Sequence, residues 1–284
     1  MASAKSPTVR RRRLCGELRR LREAAGMTCE EVARQLECTA SRISKIEGGR
    51  LGIRPGDVRE LLDIYKISGA EADRLVLLAR EARKRGWWHV YNDVTSDAFR
   101  TFVGLETEAS SITSYEAHYI PGLLQTEDYA RELFLAARPT LDPERVARRT
   151  ELRMARQQLL TQASPPDLWV VLDEAVLRRR TGRPDVMRAQ LEHLLLSGDL
   201  PNVTIQVVTF EAGFHYGMGS GFTIFQFPDP LDESVAYTEN IAGAMFMEDK
   251  AEISRYSMAF NHLRSAALSD SRSKQLVSDV ARSL

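Results

Sequence analysis

Apolar residues recur every three or four positions along the first 85 residues of the chain, which predicts a series of short helices. The first helix has an apolar stripe formed by Leu14, Leu18, Leu21 and Ala25, and Gly26 is expected to end this helix. Pro55 opens a fourth helix, and a fifth follows from about residue 71 to residue 85. The pattern predicts an all-α domain of five helices over residues 14–85.

The second and third of these helices are separated by a very short turn. The second lies in TCEEVARQL, residues 28–36, where Thr28 and Glu31 fit a capping box. The third lies in TASRISKIE, residues 39–47, with Thr39 as its N-cap. Two short helices joined this tightly are typical of a helix-turn-helix, although a small helical bundle can show the same layout.

The third helix has one apolar and one polar face. Ile43 and Ile46 point to the apolar side, and the opposite side carries Ser41, Ser44 and Lys45. Small polar and basic side chains can reach base edges and phosphates in the major groove of DNA, where bulky apolar ones would be wasted. The third helix is therefore the candidate recognition helix.

A second, different domain is predicted beyond residue 85. Residues 86–103 are rich in aromatic side chains with few basic residues among them, which predicts a packed hinge rather than a surface that stacks bases. Residues 104–139 fit two helices broken at Pro121 and Gly122. Four β-branched and aromatic runs then predict strands at residues 168–174, 203–210, 222–227 and 234–240. Short connections favour an α+β domain over residues 104–284, with a mainly antiparallel sheet and helices on one face.

Charge is divided between these two domains. The 284 residues carry no net charge, but residues 1–90 hold 20 lysines and arginines against 12 aspartates and glutamates, a surplus of +8 that residues 91–284 cancel. A basic module beside an acidic one predicts a nucleic-acid partner for the first and a different partner for the second. The basic N-terminal arm, residues 1–13, is expected to have no fixed structure; its arginines either follow a DNA backbone or form a solvated tail.

Several other classes of protein are disfavoured. No apolar run approaches the ~18 residues that a bilayer span needs, and the basic start leads into no secretory signal, so a cytoplasmic location is expected. Cys15, Cys29 and Cys38 fit neither a disulfide framework nor a zinc site. The glycines around His215 fit a flexible connection, and no catalytic motif is recognisable. We therefore expect no metal, no cofactor and no enzymatic activity; an enzyme would need a pocket around a group such as His215.

Residues 14–66 resemble the phage-repressor and Cro type (XRE family) of helix-turn-helix, on the strength of TCEEVARQL, Ser41 and the run ISKIEGG. The resemblance implies a lambda-repressor-like fold and a homodimer that reads two DNA half-sites about 34 Å apart. Carried over by position, it implies that the base readers are Ala40, Ser41 and Lys45. The residues near phosphates would be Thr28, Arg42, Ser44 and Arg50, and Thr39 completes the DNA-facing set.

The resemblance also implies an ion pair between Arg22, late in the first helix, and Glu47, at the end of the third. Such a pair would fix the recognition helix against the first helix, whereas two solvated charges would contribute little. The sequence departs from the family's pattern at two positions. Ala40 offers only a methyl contact where a longer polar side chain is common, and Glu37 stands where the family often has a turn glycine.

Residues 86–275 resemble the C-terminal domain of unknown function carried by many helix-turn-helix regulators of actinobacteria, described as toxin–antitoxin antitoxin-like transcriptional regulators. The strings that carry the resemblance are GLETEAS, YIPGLLQTEDYAR, LDEAVLRR, VTIQVV and AYTEN, in the family's order. The resemblance implies that the second domain binds a small companion protein encoded nearby, or a ligand. The candidate contact surface is the apolar set Tyr115, Tyr119, Pro121, Leu123 and Leu124, unless these residues form the core.

Together these observations predict a transcriptional regulator that reads double-stranded DNA through the major groove. The alternative is an antitoxin-like interaction protein that masks a partner and binds DNA only for autoregulation. Pull-down of the neighbouring gene's product by residues 91–284 would separate the two.

Overall fold

The computed structural model describes residues 7–137, 140, 142–180 and 183–284. The chain divides into two compact units, the first ending at His89 and the second beginning at Val90. A short 3-10 helix, Trp87–Tyr91, spans the boundary. No helix in the described ranges is long and apolar enough to cross a membrane.

The first unit is all-α, as the sequence predicts. Its described part forms five helices, which are α1 (Pro7–Ala24), α2 (Cys29–Gln35), α3 (Ala40–Glu47), α4 (Pro55–Ile64) and α5 (Gly69–Glu81). The apolar stripes recognised in the sequence meet in one core, in which Leu18, Val32 and Leu62 are completely buried. Packing of these stripes, rather than helix propensity, stabilises helices as short as α2 and α3.

The expected basic arm is wrong for residues 7–13, because α1 begins at Pro7. Val9 is buried, Nη1 of Arg10 lies 2.6 Å from a carboxylate oxygen of Glu81, and Nη2 of Arg11 donates to the carbonyl of Gly49 at 2.7 Å. A run of arginines looks solvent-exposed when only the polarity of the sequence is considered, so these tertiary contacts could not be predicted from it. Residues 1–6 of the expected arm lie outside the described residues.

The expected hinge at residues 86–103 also needs correction. Helix α6 (Asp97–Glu108) starts inside it and belongs to the second unit. The ring of Phe102 packs edge-on against Phe225 and Tyr237, with ring centroids 5.2 and 4.7 Å apart. The aromatic residues of this stretch that lie on α6 therefore contribute to the core of the second unit.

The second unit is an α+β fold built on a six-stranded sheet. The strands are β1 (Ser111–Glu116), β2 (Asp167–Asp173), β3 (Val203–Val208), β4 (Phe222–Gln226), β5 (Val235–Asn240) and β6 (Gly243–Met247). Their order is β3-β2-β1-β4-β5-β6. The sheet is mostly antiparallel, because β4 pairs antiparallel with β1 and β5, and β5 with β6. Strands β1, β2 and β3 pair in parallel.

Two of these strands, β1 and β6, are not predicted by the sequence. Strand β1 lies in a stretch predicted to be helical, and its central position between β2 and β4 rests on pairings with residues at least 50 positions away. Strand β6 is a short edge strand that forms a hairpin with β5 and exposes Met245. Neither carries a long β-branched run, so local composition did not reveal them.

Helices cover both faces of the sheet, not one face as expected. The remaining helices are α7 (Glu127–Ala137), α8 (Pro143–Gln157), α9 (Glu174–Arg178), α10 (Pro184–Ser197), α11 (Lys250–Ala266) and α12 (Asp270–Arg282). Helix α11 packs its Phe260 and Leu263 into the cluster that contains Phe222 and Ile224. The adjacent residue Phe225 points to the opposite face, where α6 covers it.

Candidate nucleic-acid interface

Both helices of the predicted helix-turn-helix begin at a side-chain cap, and the turn between them contains one strained residue. Thr28 Oγ1 accepts from the backbone N–H of Glu31 at 3.2 Å, and the Glu31 carboxylate accepts from the Thr28 N–H at 2.8 Å, which confirms the capping box. Thr39 Oγ1 accepts from the N–H of Arg42 at 3.2 Å and so caps α3, as predicted. Glu37, at the family's glycine position, has a φ of 49°. A side chain in this left-handed conformation is strained.

Helix α3 buries its apolar face and exposes its polar one. Ile43 and Ile46 are 1% and 3% exposed and lie in the core of the first unit. Ser44 and Lys45 lie one turn beyond Ser41 on the outer face, and all three residues are exposed. Within the described residues their side chains form no hydrogen bond or ion pair with the protein. The same holds for the exposed Arg50, which follows the helix.

The other predicted DNA-facing residues are already engaged in the fold. Thr28 and Thr39 serve as caps, and the half-buried Ala40 packs against the core. Nη2 of Arg42 lies 2.8 Å from Oδ2 of Asp57 in the first turn of α4, although both side chains keep contact with solvent. The four free side chains, Ser41, Ser44, Lys45 and Arg50, therefore form the part of the predicted set that is available to a ligand.

Arg22 and Glu47 form the ion pair that the resemblance implies. Nε and Nη2 of Arg22 lie 2.8 and 2.9 Å from the two carboxylate oxygens of Glu47, and Nη1 donates to the Met27 carbonyl at 2.8 Å. Their side chains are only 12% and 6% exposed. Hydrogen bonding to Glu47 raises the pKa of Arg22 above its ordinary value. This planar, two-bond contact joins the end of α1 to the end of α3 and so fixes the orientation of α3.

The predicted contact surface of the second unit is wrong for four of its five residues. Tyr115, Leu123 and Leu124 are at most 4% exposed, and Pro121 is buried as well. Buried polar side chains hold the segment around Pro121 in place. Nε2 of Gln190 donates to the Leu124 carbonyl and its Oε1 accepts from the Thr126 N–H, both at 2.7 Å. Most of the apolar YIPGLLQ string is therefore core, and of the five predicted contact residues only Tyr119 lines an open cavity.

A buried ion pair in the second unit was not predicted. Nε and Nη2 of Arg156 on α8 lie 2.7 and 2.6 Å from the carboxylate oxygens of Glu106 on α6, and both side chains are at most 4% exposed. The rings of Phe99 and Phe102 flank the guanidinium at 5.3 Å. Fifty positions separate the partners, so no local pattern signals the pair.

Metal-ligating residues, cysteines and His215 are the remaining candidates for a functional site. No group of three or more His, Cys, Asp or Glu in the described ranges could hold a metal ion, and the three cysteines are unbridged. Nε2 of His215 lies 3.3 Å from Oδ2 of Asp173, and its Nδ1 accepts from the Gly217 N–H at 3.1 Å. Asp173 also caps α9, so this pair anchors the glycine-rich connection to the sheet.

Comparison with known families agrees with the two-unit architecture. A model described as a helix-turn-helix domain matches residues 13–75, so the first unit is a helix-turn-helix of the DNA-binding class. A model described as a domain of unknown function (DUF5753) matches residues 99–279, more than half of the chain. The chain therefore belongs to the DUF5753 family. No curated protein and no solved structure matches it.

Proposed function

We propose that the chain is a transcriptional regulator of the XRE type that reads specific DNA sequences by inserting α3 into the major groove. The observation that carries the proposal is the unpartnered row Ser41, Ser44 and Lys45 on a helix whose opposite face is locked into the core. The Arg22–Glu47 contact braces this helix. Such preorganisation lets a short helix present side chains to base edges without a large ordering cost.

Each free residue has a proposed role. Lys45 and Ser41 contact base edges, with Ala40 offering a methyl contact, whereas Ser44 and Arg50 contact phosphates. Arg42 reaches a phosphate only by leaving Asp57, and Thr28 and Thr39 contribute through the helix ends that they cap. Most of the affinity comes from counterion release, and the base contacts supply specificity. Two chains are proposed to bind DNA as a homodimer. The proposed location of this activity is the cytoplasm.

The DNA contacts can be tested with duplexes selected from a random-sequence library by the purified chain. Lys45→Ala is expected to weaken binding to the selected duplex by about 1–3 kcal/mol and to relax specificity at one position. Arg50→Ala is expected to weaken selected and random duplexes alike and to reduce the salt slope by about 0.9.

Arg74→Ala is the matched control, since it removes one exposed positive charge from α5 and is expected to change affinity little. If Lys45→Ala and Arg74→Ala bind equally well, Lys45 does not read bases.

The second unit is proposed to control the first by binding a companion protein or a ligand, in the manner of the antitoxin-like regulators that its sequence resembles. Its acidic charge supports a partner other than nucleic acid. We propose no enzymatic activity for either unit.

A further inference from the structure

A cavity of about 360 Å³ opens within the second unit. Helices α6, α7 and α8 and strands β1, β4 and β5 contribute to its lining. Aromatic rings form much of the wall, namely Phe99, Phe102, Tyr119, Phe134, Phe222 and Tyr237. A volume of this size and a wall that combines aromatic rings with polar and charged side chains are typical of small-molecule sites.

The cavity contains a guanidinium that the protein leaves unpaired. Arg153 of α8 forms no hydrogen bond or ion pair with any described residue, and its Nε is buried without a partner. Its guanidinium lies 5.2 Å from the ring centroid of Phe134. On the other side it packs against Gly122, where any Cβ would collide with Nη1 of Arg153. The side chain thus packs against Phe134 and Gly122 without a hydrogen-bonded or ion-paired partner among the described residues.

Arg156, one turn further along α8, differs from Arg153 because its charge is paired. Its Nε and Nη2 donate hydrogen bonds to the Glu106 carboxylate. Burial and the neighbouring charge of Arg156 lower the pKa of Arg153, so the cationic form of Arg153 is under electrostatic stress. Arg153 is partly buried, and a cation that has lost part of its water without gaining a close partner is costly. An anion placed beside it would relieve that cost.

The carboxyl groups around the cavity do not supply that anion. Glu116, at the end of β1, forms no hydrogen bond or ion pair with a described residue, and burial raises its pKa to about 8. Near neutral pH it is therefore mostly protonated. Glu239 is exposed and accepts a hydrogen bond from the Tyr237 hydroxyl at 2.7 Å. Glu106 is already paired with Arg156, and His118 is exposed. Glu239 and Glu106 attract the Arg153 guanidinium from a distance, but no carboxylate in the described lining forms an ion pair with it.

We propose that this cavity binds a small aromatic carboxylate, with the carboxylate on Arg153 and the ring against Phe99, Phe102 and Phe134. A planar guanidinium fork held in place by packing matches a carboxylate with two parallel hydrogen bonds. A protonated Glu116 can donate a further hydrogen bond. This inference deepens the ligand-binding role proposed for the second unit, and it does not depend on DNA binding by the first.

Calorimetric titration of the full chain, without DNA, tests the proposal with four probes. The probe 1-naphthylacetate has the carboxylate and the ring. Acetate lacks the ring, 1-naphthylmethylamine reverses the charge, and 1-naphthalenemethanol removes it. We expect saturable one-site binding of 1-naphthylacetate and much weaker binding of the other three.

Arg153→Gln is expected to weaken the binding of 1-naphthylacetate by about tenfold to a hundredfold. The control Arg131→Gln is expected to leave it unchanged, because Arg131 is an exposed residue of α7 paired with Glu127 and Asp128. The proposal is overturned if none of the probes binds, if the amine or the alcohol binds as tightly as the acid, or if Arg153→Gln binds normally. Because no DNA is present, these outcomes are independent of the DNA-binding proposal.

Stability of the unliganded chain provides a second readout. If Arg153 is kept for a ligand, Arg153→Gln removes a partly buried charge that has no close partner and raises the unfolding temperature modestly, whereas Arg131→Gln leaves it nearly unchanged. A structural role for Arg153 would lower it instead and overturn the proposal. Should Arg153→Gln fail to fold, Arg153→Lys takes its place, because it keeps the charge but loses the fork. We expect Arg153→Lys to bind 1-naphthylacetate more weakly than the parent, and binding as tight as the parent's would overturn the proposal.

Discussion

Removing one partner of the Arg22–Glu47 pair should strongly destabilise the first unit. Glu47→Ala leaves the Arg22 guanidinium only 12% exposed, with two of its nitrogens deprived of their acceptors. Breaking a buried pair in this way costs about 3–5 kcal/mol. Arg22 keeps its bond to the Met27 carbonyl and lies 3.5 Å from the exposed Glu23, so we expect the lower end, about 3 kcal/mol.

A matched control is the ion pair that joins α3 to α4. Arg42 and Asp57 form a pair of equal length, but their side chains are 48% and 29% exposed. Asp57→Ala is therefore expected to cost about 0–1 kcal/mol. Replacing both buried partners by apolar residues of similar size, Arg22→Met with Glu47→Leu, should recover much of the stability lost in Glu47→Ala, because no unpaired charge remains.

Urea unfolding of the full chain, followed by hydrogen exchange resolved to peptides from α1 and α3, would report the first unit separately from the second. With a slope of about 1–3 kcal/mol per molar urea, a loss of about 3 kcal/mol lowers the midpoint by about 1–3 M. A Glu47→Ala midpoint no lower than that of Asp57→Ala would show that the pair contributes nothing and that α3 is held by Ile43 and Ile46 alone.

Two further substitutions test other features. Glu37→Gly should stabilise the first unit by about 0.5–1 kcal/mol. Glycine relieves the strain of the left-handed backbone, which is about 1–2 kcal/mol, and this gain outweighs the extra freedom of glycine in the unfolded chain. A urea midpoint no higher than that of Glu37→Ala would contradict this prediction. Glu116, with its pKa raised from 4.5 to about 8, holds a proton that the unfolded chain releases, so its contribution to stability falls as the pH rises through that window. Glu116→Gln should raise the unfolding temperature at about pH 9 and change it little at about pH 5. Equal effects at both pH values would show that burial does not shift the pKa of Glu116.

The helical unit could be predicted from the sequence because its signals are local. A cap, a capping-box glutamate or an apolar stripe lies within four residues of its partner, so Thr28, Thr39 and Ile43 were identified from spacing alone. The sheet depends on pairings across long stretches of chain. The central place of β1 is set by β2 and β4, which begin 50 or more residues later. Nothing in Ser111–Glu116 itself distinguishes a strand from the end of a helix.

The same distinction holds for the candidate sites. The free row on α3 follows from helical periodicity, but the engagement of Arg42 by Asp57 depends on how α4 packs, which no local pattern shows. For Tyr115 and Leu124 the sequence leaves a contact surface and a core position both open, because an apolar string looks alike in the two settings, and the structure places both residues in the core. The unpaired state of Arg153 emerges only when α8, β1 and the segment at Gly122 come together around one cavity.

Genomic footprinting with the purified chain tests the central claim most directly, and the double variant Ser41→Ala, Lys45→Ala should be run beside it. The parent is expected to protect a small number of discrete duplex sites at low salt, and the variant, with an intact fold, is expected to lose them. If the parent protects no discrete site, or the variant protects the same sites equally well, then α3 is not the element that reads DNA.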